Sequence, residues 1–308
     1  MAAVNLGTST LSTNIRYSNQ RKIIKTSGGI LVAFANLGNG AGNRIQYIIS
    51  SNNGVSWGSW ISAYDDADIN SFDVYIDANN DILLVIDKNG MVFRKLVYNP
   101  GDTWTNGTVY TVSAFAEGIP TLTRRSNGNI WIASTRSTIA INGYYSTDEG
   151  QNWTNTNFTA PSTQRNQSII SVGSNIWIIY AANGGLFYRV YTTSWGSAQT
   201  IVASGLTNGD YTLATLKISD IEIYTTGIKS DGIHIYKYNG SSWDSATLLT
   251  TNTRDSYPTL SNVNNLPILI WNDYASGNYN IAYRKWNGAS WDSQVNMTTG
   301  ATDRKSVV

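Results

Sequence analysis

Side chains able to do chemistry fall into a few sets. An acidic run, Asp65, Asp66 and Asp68, could hold a hard cation or deliver a proton. The competing reading is a solvated loop. Six aromatic residues, Tyr17, Tyr64, Phe115, Tyr211, Tyr257 and Tyr274, lie in or beside loops flanked by Asn, Asp and Arg. A flat ring stacks on the apolar C–H face of a sugar while neighbouring polar groups bond its hydroxyls, so this combination suits carbohydrate. The alternative is that these rings pack loops against each other. His234 is the single histidine, which excludes a His-pair metal site and any triad needing a second imidazole. With no cysteine, disulfides and thiolate metal sites are excluded too. The residue types point to no cofactor and no metal.

The bulk of the chain narrows the partners. Net charge is +1, and charged residues make up only 13% of 308 residues. No basic stripe is visible, so nucleic acid is not expected. No apolar run is long enough to span a membrane as a helix, so membrane insertion is not expected. The first residues lack the charged start and apolar core of a signal peptide. The expected setting is therefore virion-associated or cytoplasmic, or secretion by a non-standard route.

The elements that must position these residues repeat. Trp57, Trp104, Trp153, Trp195, Trp243 and Trp291 follow one another at gaps of 47, 49, 42, 48 and 48 residues, each just past a turn signal. A period of 40–50 residues marks a repeat architecture. Each unit opens on an apolar run such as Phe72-Asp73-Val74 or Thr212-Leu213-Ala214, followed by a Gly/Asn turn. A nearly continuous apolar run comes next, for example Ile82-Leu83-Leu84-Val85-Ile86, which suits a strand buried on both faces. An alternating strand, the marker Trp and a short fourth strand close the unit. No segment has a 3.6-residue apolar period. The expectation is an all-β, six-bladed propeller of four-stranded antiparallel blades forming a single domain. The blades fall at about 16–64, 65–113, 114–161, 162–205, 206–252 and 253–308, with residues 1–15 as a closing segment.

Two marker turns share a pattern. Ser146-Thr147-Asp148-Glu149-Gly150-Gln151-Asn152-Trp153 fits Ser-x-Asp-x-Gly-x-x-Trp, and Ser50, Asn52, Gly54 and Trp57 fit it with Asn for Asp. A short Asx side chain can accept backbone N–H bonds in a turn, while Gly takes a positive φ. The other four turns keep the Trp and lose the box. This pattern resembles the Asp-box (bacterial neuraminidase repeat) family of sialidase-like propellers, in which the box is a fold-stabilising turn on the face opposite the binding site.

The resemblance implies an arginine triad on a substrate carboxylate, a Tyr nucleophile activated by Glu, and an Asp acid, all on the loops leading into the innermost strands. Those loops offer Arg16, Tyr17 and Arg21 before blade 1, then Tyr64, Asp65 and Asp66 before blade 2 and Glu117 before blade 3. Arg165, Tyr211 and the group Arg254, Asp255 and Tyr257 precede blades 4, 5 and 6. Tyr257 is the candidate nucleophile, and Asp65, Asp66 and Glu117 are the other weak catalytic candidates. The departures weigh more. The loop from Asn36 to Arg44, where the acid is expected, has no carboxylate. Gln164 and Gln167 stand where the Glu is expected. The expected function is a non-catalytic, lectin-like module for a glycan or cell-surface polysaccharide. Its uncharged polar composition also suits a phage virion or tail-associated protein that contacts other virion proteins. The alternatives are a divergent sialidase or other glycoside-acting enzyme, and a structural docking disc.

Overall fold

The structure, a computed structural model, describes residues 20–37, 43–115, 118–137, 140–159, 164–207, 213–275 and 278–298. The closing segment expected over residues 1–15 lies outside them. Gln20–Phe158 forms one compact unit, and the described residues from Thr159 onward form another. The whole is an all-β, six-bladed propeller without helices among the described residues, each blade a four-stranded antiparallel sheet in simple sequence order.

The N-terminal unit holds three blades. Blade 1 is β1 (Ile23–Lys25), β2 (Leu31–Asn36), β3 (Asn43–Ser50) and β4 (Ile61–Asp66). Blade 2 is β5 (Ser71–Ile76), β6 (Ile82–Asp87), β7 (Met91–Asn99) and β8 (Thr103–Ser113). Blade 3 is β9 (Thr121–Arg124), β10 (Ile130–Ser137), β11 (Ala140–Ser146) and β12 (Thr154–Thr159). The C-terminal unit holds the other three. Blade 4 is β13 (Gln164–Val172), β14 (Asn175–Ala182), β15 (Gly185–Tyr191) and β16 (Gln199–Val202). Blade 5 is β17 (Thr215–Ser219), β18 (Glu222–Lys229), β19 (Gly232–Tyr238) and β20 (Thr247–Leu248). Blade 6 is β21 (Ser256–Val263), β22 (Leu266–Ala275), β23 (Asn278–Lys285) and β24 (Val295–Asn296).

Two details differ from the sequence reading. The fourth strand is not always short, because β8 runs for 11 residues. The first strand of blade 5 begins at Thr215, so Leu213 and Ala214 lead into it. Ala214 still joins the sheet, since Thr226 N–H donates to its carbonyl and Ala214 N–H donates to Thr226 Oγ1.

The second strand organises each pair of neighbours. All six residues of β6 are buried. Ile82, Leu84 and Ile86 pack with Val32, Phe34 and Tyr47 of blade 1, whereas Leu83 and Val85 pack with Leu122, Ile130 and Ile132 of blade 3. Alternation along one strand thus feeds two cores. In the C-terminal unit, Trp177 and Ile179 meet Ile223 and Tyr236, and Tyr224 and Ile235 meet Leu269 and Trp271.

Antiparallel order gives every blade two distinct ends. The loop end carries the start of the first strand and the hairpin between the second and third. The turn end carries the other two hairpins, including the tryptophan turns. There the two box-like turns fold as their residues imply. Gly54 N–H and Gly150 N–H each donate to a Ser Oγ, of Ser50 and Ser146, at 2.8 Å. Ser56 N–H donates to Asn52 Oδ1 at 2.8 Å and Asn152 N–H to Asp148 Oδ1 at 2.9 Å. Trp57 and Trp153 close the turns by donating Nε1–H to Gly54 and Gly150 carbonyls. Trp153 also meets Phe93 of blade 2 edge-on at 5.3 Å.

Blades 5 and 6 use another closed turn that the sequence reading took as a lost box. Asn239 Oδ1 accepts Ser241 and Ser242 N–H, and its Nδ2 donates to Asp244 at 2.9 Å. Asn287 does the same with Ala289, Ser290 and Asp292.

Gly150 has φ +90°, and a Cβ there would overlap the buried Phe93 ring. Gly101 has a similar φ, +87°, with nothing near a Cβ. Gly150→Ala is expected to destabilise the protein by roughly 2–4 kcal/mol, and Gly101→Ala by about 1 kcal/mol. Urea denaturation of the two variants checks this; equal losses would show that φ, and not the Phe93 contact, sets the cost.

Candidate functional site

In the N-terminal unit, the loop end of blades 1 and 2 gathers Tyr64, Asp65, Asp66 and Asp68. The partners were not visible in sequence. Lys88, from the β6–β7 hairpin, ion-pairs with Asp66 at 2.5 Å, and Tyr64 Oη donates to the same carboxylate at 3.2 Å. Asp68 accepts from Asn89 Nδ2 at 2.7 Å, and Asp65 pairs with Arg44 at 3.2 Å. Lys88, first of all, holds the Asp66 carboxyl below the usual carboxylate range. An acid already ionised and paired has no proton to give at neutral pH. Tyr64 is buried, so it does not serve as an exposed stacking platform.

Nearer the first strands, Arg21 is held internally. Its Nη2 donates to Asp73 at 2.6 Å and to the Leu122 carbonyl, and Leu122 N–H donates to Asp73 at 2.9 Å. Arg21 thereby ties the first strands of three blades. The adjacent Lys22 is buried, its ammonium over the Phe72 ring and donating to Phe72 O and Gln20 Oε1. Burial brings its pKa down to about 7, against the attraction of Asp73.

In the C-terminal unit, the loop between β20 and β21 meets the β22–β23 hairpin. The Arg254 guanidinium lies 4.7 Å from the centre of the Tyr274 ring, and Tyr279 meets that ring edge-on at 4.9 Å. Asn252 Nδ2 donates to the Tyr274 carbonyl, and Tyr274 N–H donates to Asp255 Oδ1 at 3.0 Å. Arg254 is exposed, Tyr274 and Tyr279 are half-buried, and Asp255 is only 3% exposed. Burial, with a smaller push from Asp273, raises the Asp255 pKa to about 6 against the Tyr274 N–H bond and the pull of the Thr250 and Trp271 side chains. Its Oδ2 makes no hydrogen bond of normal geometry. Tyr257 follows with φ +54°, just before Pro258 and inside a register break between Ser256 and Thr259. A non-glycine residue in that region costs roughly 1–3 kcal/mol, a strain that clusters at functional sites.

Arg16, Tyr17, Glu117 and Tyr211 lie outside the described residues, as does the side chain of Arg165 on β13. Gln167 is fully buried. His234 is buried and bonds Asp231 Oδ1 through Nε2 at 2.7 Å. No group of three or more His, Cys, Asp or Glu able to hold a metal occurs among the described residues. A Tyr–Glu pair does exist, but at the turn end of blade 5. Tyr224 Oη donates to Glu222 at 2.6 Å. Burial first, and Glu222 next, push the phenol pKa up, so Tyr224 stays protonated and is a poor nucleophile.

The six-bladed propeller is shared with lectins and sialidases. Aleuria aurantia lectin, in complex with Fucα1-6GlcNAc, aligns at TM-score 0.62 and 16% identity, over 94% of this chain and 99% of the lectin. AofleA from Arthrobotrys oligospora aligns at TM-score 0.65 and 10% identity, over 94% and 89%. Trypanosoma rangeli sialidase aligns at TM-score 0.60 and 10% identity over 87% of this chain, which spans 54% of the sialidase. No protein-family description matches the chain, and no curated protein does. At these identities the likeness is one of fold.

The Asp255 environment has a direct consequence. A carboxyl whose folded pKa is raised binds its proton more tightly in the folded state, so its contribution to stability falls as pH rises from about 4 through about 6. Asp255→Asn keeps the acceptor for Tyr274 N–H and removes the titration. Relative to the parent, the variant is expected to gain about 1–3 kcal/mol between pH 4 and pH 7. Denaturation at both pH values checks it, and a gap that does not change with pH would contradict the assignment.

Proposed function

We propose that this propeller is a carbohydrate-recognition module and that the loop end of blades 5 and 6 is its binding surface. The observation that carries the reading is the Arg254–Tyr274–Tyr279 array, fixed by Asn252 and Asp255. The Tyr274 ring offers a face for sugar C–H groups, and the exposed guanidinium offers planar donors to hydroxyls or a carboxylate. The corresponding place between blades 1 and 2 is filled by the chain's own Asp66–Lys88 pair. Lectins and sialidases with the same fold make fucosylated and sialylated glycans the first ligands to test.

The module is non-catalytic in this reading. Asp66 is ionised and paired, Tyr224 keeps its proton, and the sequence of the Asn36–Arg44 loop holds no carboxylate. A low charged fraction, 13%, and the absence of cysteine support carriage on a phage virion beside other virion proteins as its setting. One observation favours a second reading, a divergent glycoside-acting enzyme: a buried carboxyl with its pKa near 6, Asp255, suits a general acid.

A glycan array is expected to show binding that Tyr274→Ala weakens by roughly tenfold or more and that Asp66→Asn leaves intact. A fluorogenic sialoside is expected to show no turnover. Turnover lost on Asp255→Asn or Tyr257→Phe would replace the first reading with the second.

A further inference from the structure

The loop 252–255 is a clasp with a loose polar end inside it. Asn252 Oδ1 accepts Arg254 N–H at 3.1 Å, and the Asn252 carbonyl accepts Asp255 N–H at 3.2 Å. The loop grips Tyr274 by both backbone groups, its carbonyl from Asn252 Nδ2 and its N–H from Asp255 Oδ1. Tyr274 in turn carries the ring beneath Arg254. One carboxylate oxygen therefore holds the clasp shut, while the other, Oδ2, is buried and makes no hydrogen bond of normal geometry, with the Thr250 hydroxyl and the Trp271 indole near the carboxyl and favouring its anion.

The charged groups around Asp255 do not neutralise it. Asp273, on β22, is buried and of like sign. Arg254, on the loop itself, is turned over the Tyr274 ring. The β18–β19 hairpin reaches the loop through Thr250, whose Oγ1 accepts Ile233 N–H at 3.1 Å. That hairpin carries Lys229 and the Asp231–His234 pair.

We propose that Asp255 is a proton-operated latch: its neutral form locks loop 252–255 onto Tyr274, and its anion lets the loop open. Recognition at this end of blades 5 and 6 then strengthens as the medium is acidified, a consequence that rests on the glycan reading above. The latch itself does not need a ligand.

The physical reason is desolvation. Closing the loop takes the carboxylate from water, next to a second carboxylate, and the Tyr274 N–H and the nearby Thr250 and Trp271 side chains only partly replace the lost hydration. Opening restores hydration, so the anion favours the open loop. Protonation removes the charge and with it the gain from opening, while the other oxygen still accepts Tyr274 N–H. Protons favour whichever state binds them more tightly. With an ordinary carboxyl value of 3.8 in the open loop and about 6 in the closed one, the opening equilibrium can change by up to roughly 100-fold. The closed form is most favoured below about pH 4 and loses that advantage as pH rises through about 6.

Native-state hydrogen exchange on the full chain, from pH 4.5 to 7.5 and corrected for intrinsic rates, tests the latch at the Tyr274 amide. Opening is expected to rise with pH by one to two orders of magnitude, roughly, and level off above pH 7. Asp255→Asn should flatten the profile, and His234→Gln should leave it in place. A flat or falling profile in the parent protein overturns the proposal. So does a slope that survives Asp255→Asn or disappears with His234→Gln. The ligand arm titrates a glycan taken from the array at pH 5 and pH 7.5. Tighter binding at pH 5 supports the regulatory consequence, and tighter binding at pH 7.5 overturns it. Absence of glycan binding at both values counts against the glycan reading alone, because the exchange profile decides the latch without ligand.

Discussion

The second strand of each blade must be covered on both faces, and a single sheet cannot do this for itself. β6 shows the constraint plainly: Ile82, Leu84 and Ile86 belong to one interblade core, and Leu83 and Val85 to another. Removing apolar surface from water contributes about 25 cal/mol per Å², so a blade alone would leave one large apolar face wet. Each blade is therefore stable only beside its neighbours, as in other repeat architectures. The polar features of the chain are built around that requirement.

The two ends of the blades meet it differently. At the turn end, polar groups are matched to each other across blades. Arg124 pairs with Asp77 and Glu149, and Lys95 pairs with Asp81 and Glu149. The tryptophans add ring contacts to the preceding blade, as Trp104 does with Tyr47 at 6.0 Å and Trp243 with Tyr188 at 6.0 Å. Side chains committed to such staples are not free to recognise a ligand. The loop end is less uniform, matched by ion pairs at blades 1 and 2 and left with an exposed Arg254 at blades 5 and 6.

Much of the fold was legible in the sequence because its signals are local. The marker tryptophans, the Gly/Asn turns and the apolar second strands each fall within about ten residues, and their repetition supplies the count. The site was legible only in part. Arg254, Asp255, Tyr257 and Tyr274 stand out by residue type and loop position, yet what each does depends on distant partners. Asp66 looks like a free acid until Lys88, 22 residues on, is seen to neutralise it. Arg21 looks like a ligand clamp until Asp73 and Leu122, 52 and 101 residues away, are found to hold it. Periodicity does not report such pairings, because they are made between blades. The Asn239 and Asn287 turns are legible as turns, but not how they close, because their hydrogen-bonding residue precedes the Trp by four positions, outside the Ser-x-Asp-x-Gly pattern.

Comparing two equivalent places in the repeat shows how one scaffold yields a closed and an open end. Between blades 1 and 2, the carboxylate of the connecting loop finds a cation on the next hairpin, so Asp66 and Lys88 satisfy each other. Between blades 5 and 6, the loop carboxylate accepts the Tyr274 N–H, and the loop cation turns over the Tyr274 ring. Opposite charges in the first place cancel, and little field or hydrogen-bonding capacity is left for a ligand. In the second, the Arg254 guanidinium is exposed and the Tyr274 ring is half-buried. The difference lies in the partner each loop meets: Lys88 of the β6–β7 hairpin in blade 2, and Tyr274 near the end of β22 in blade 6.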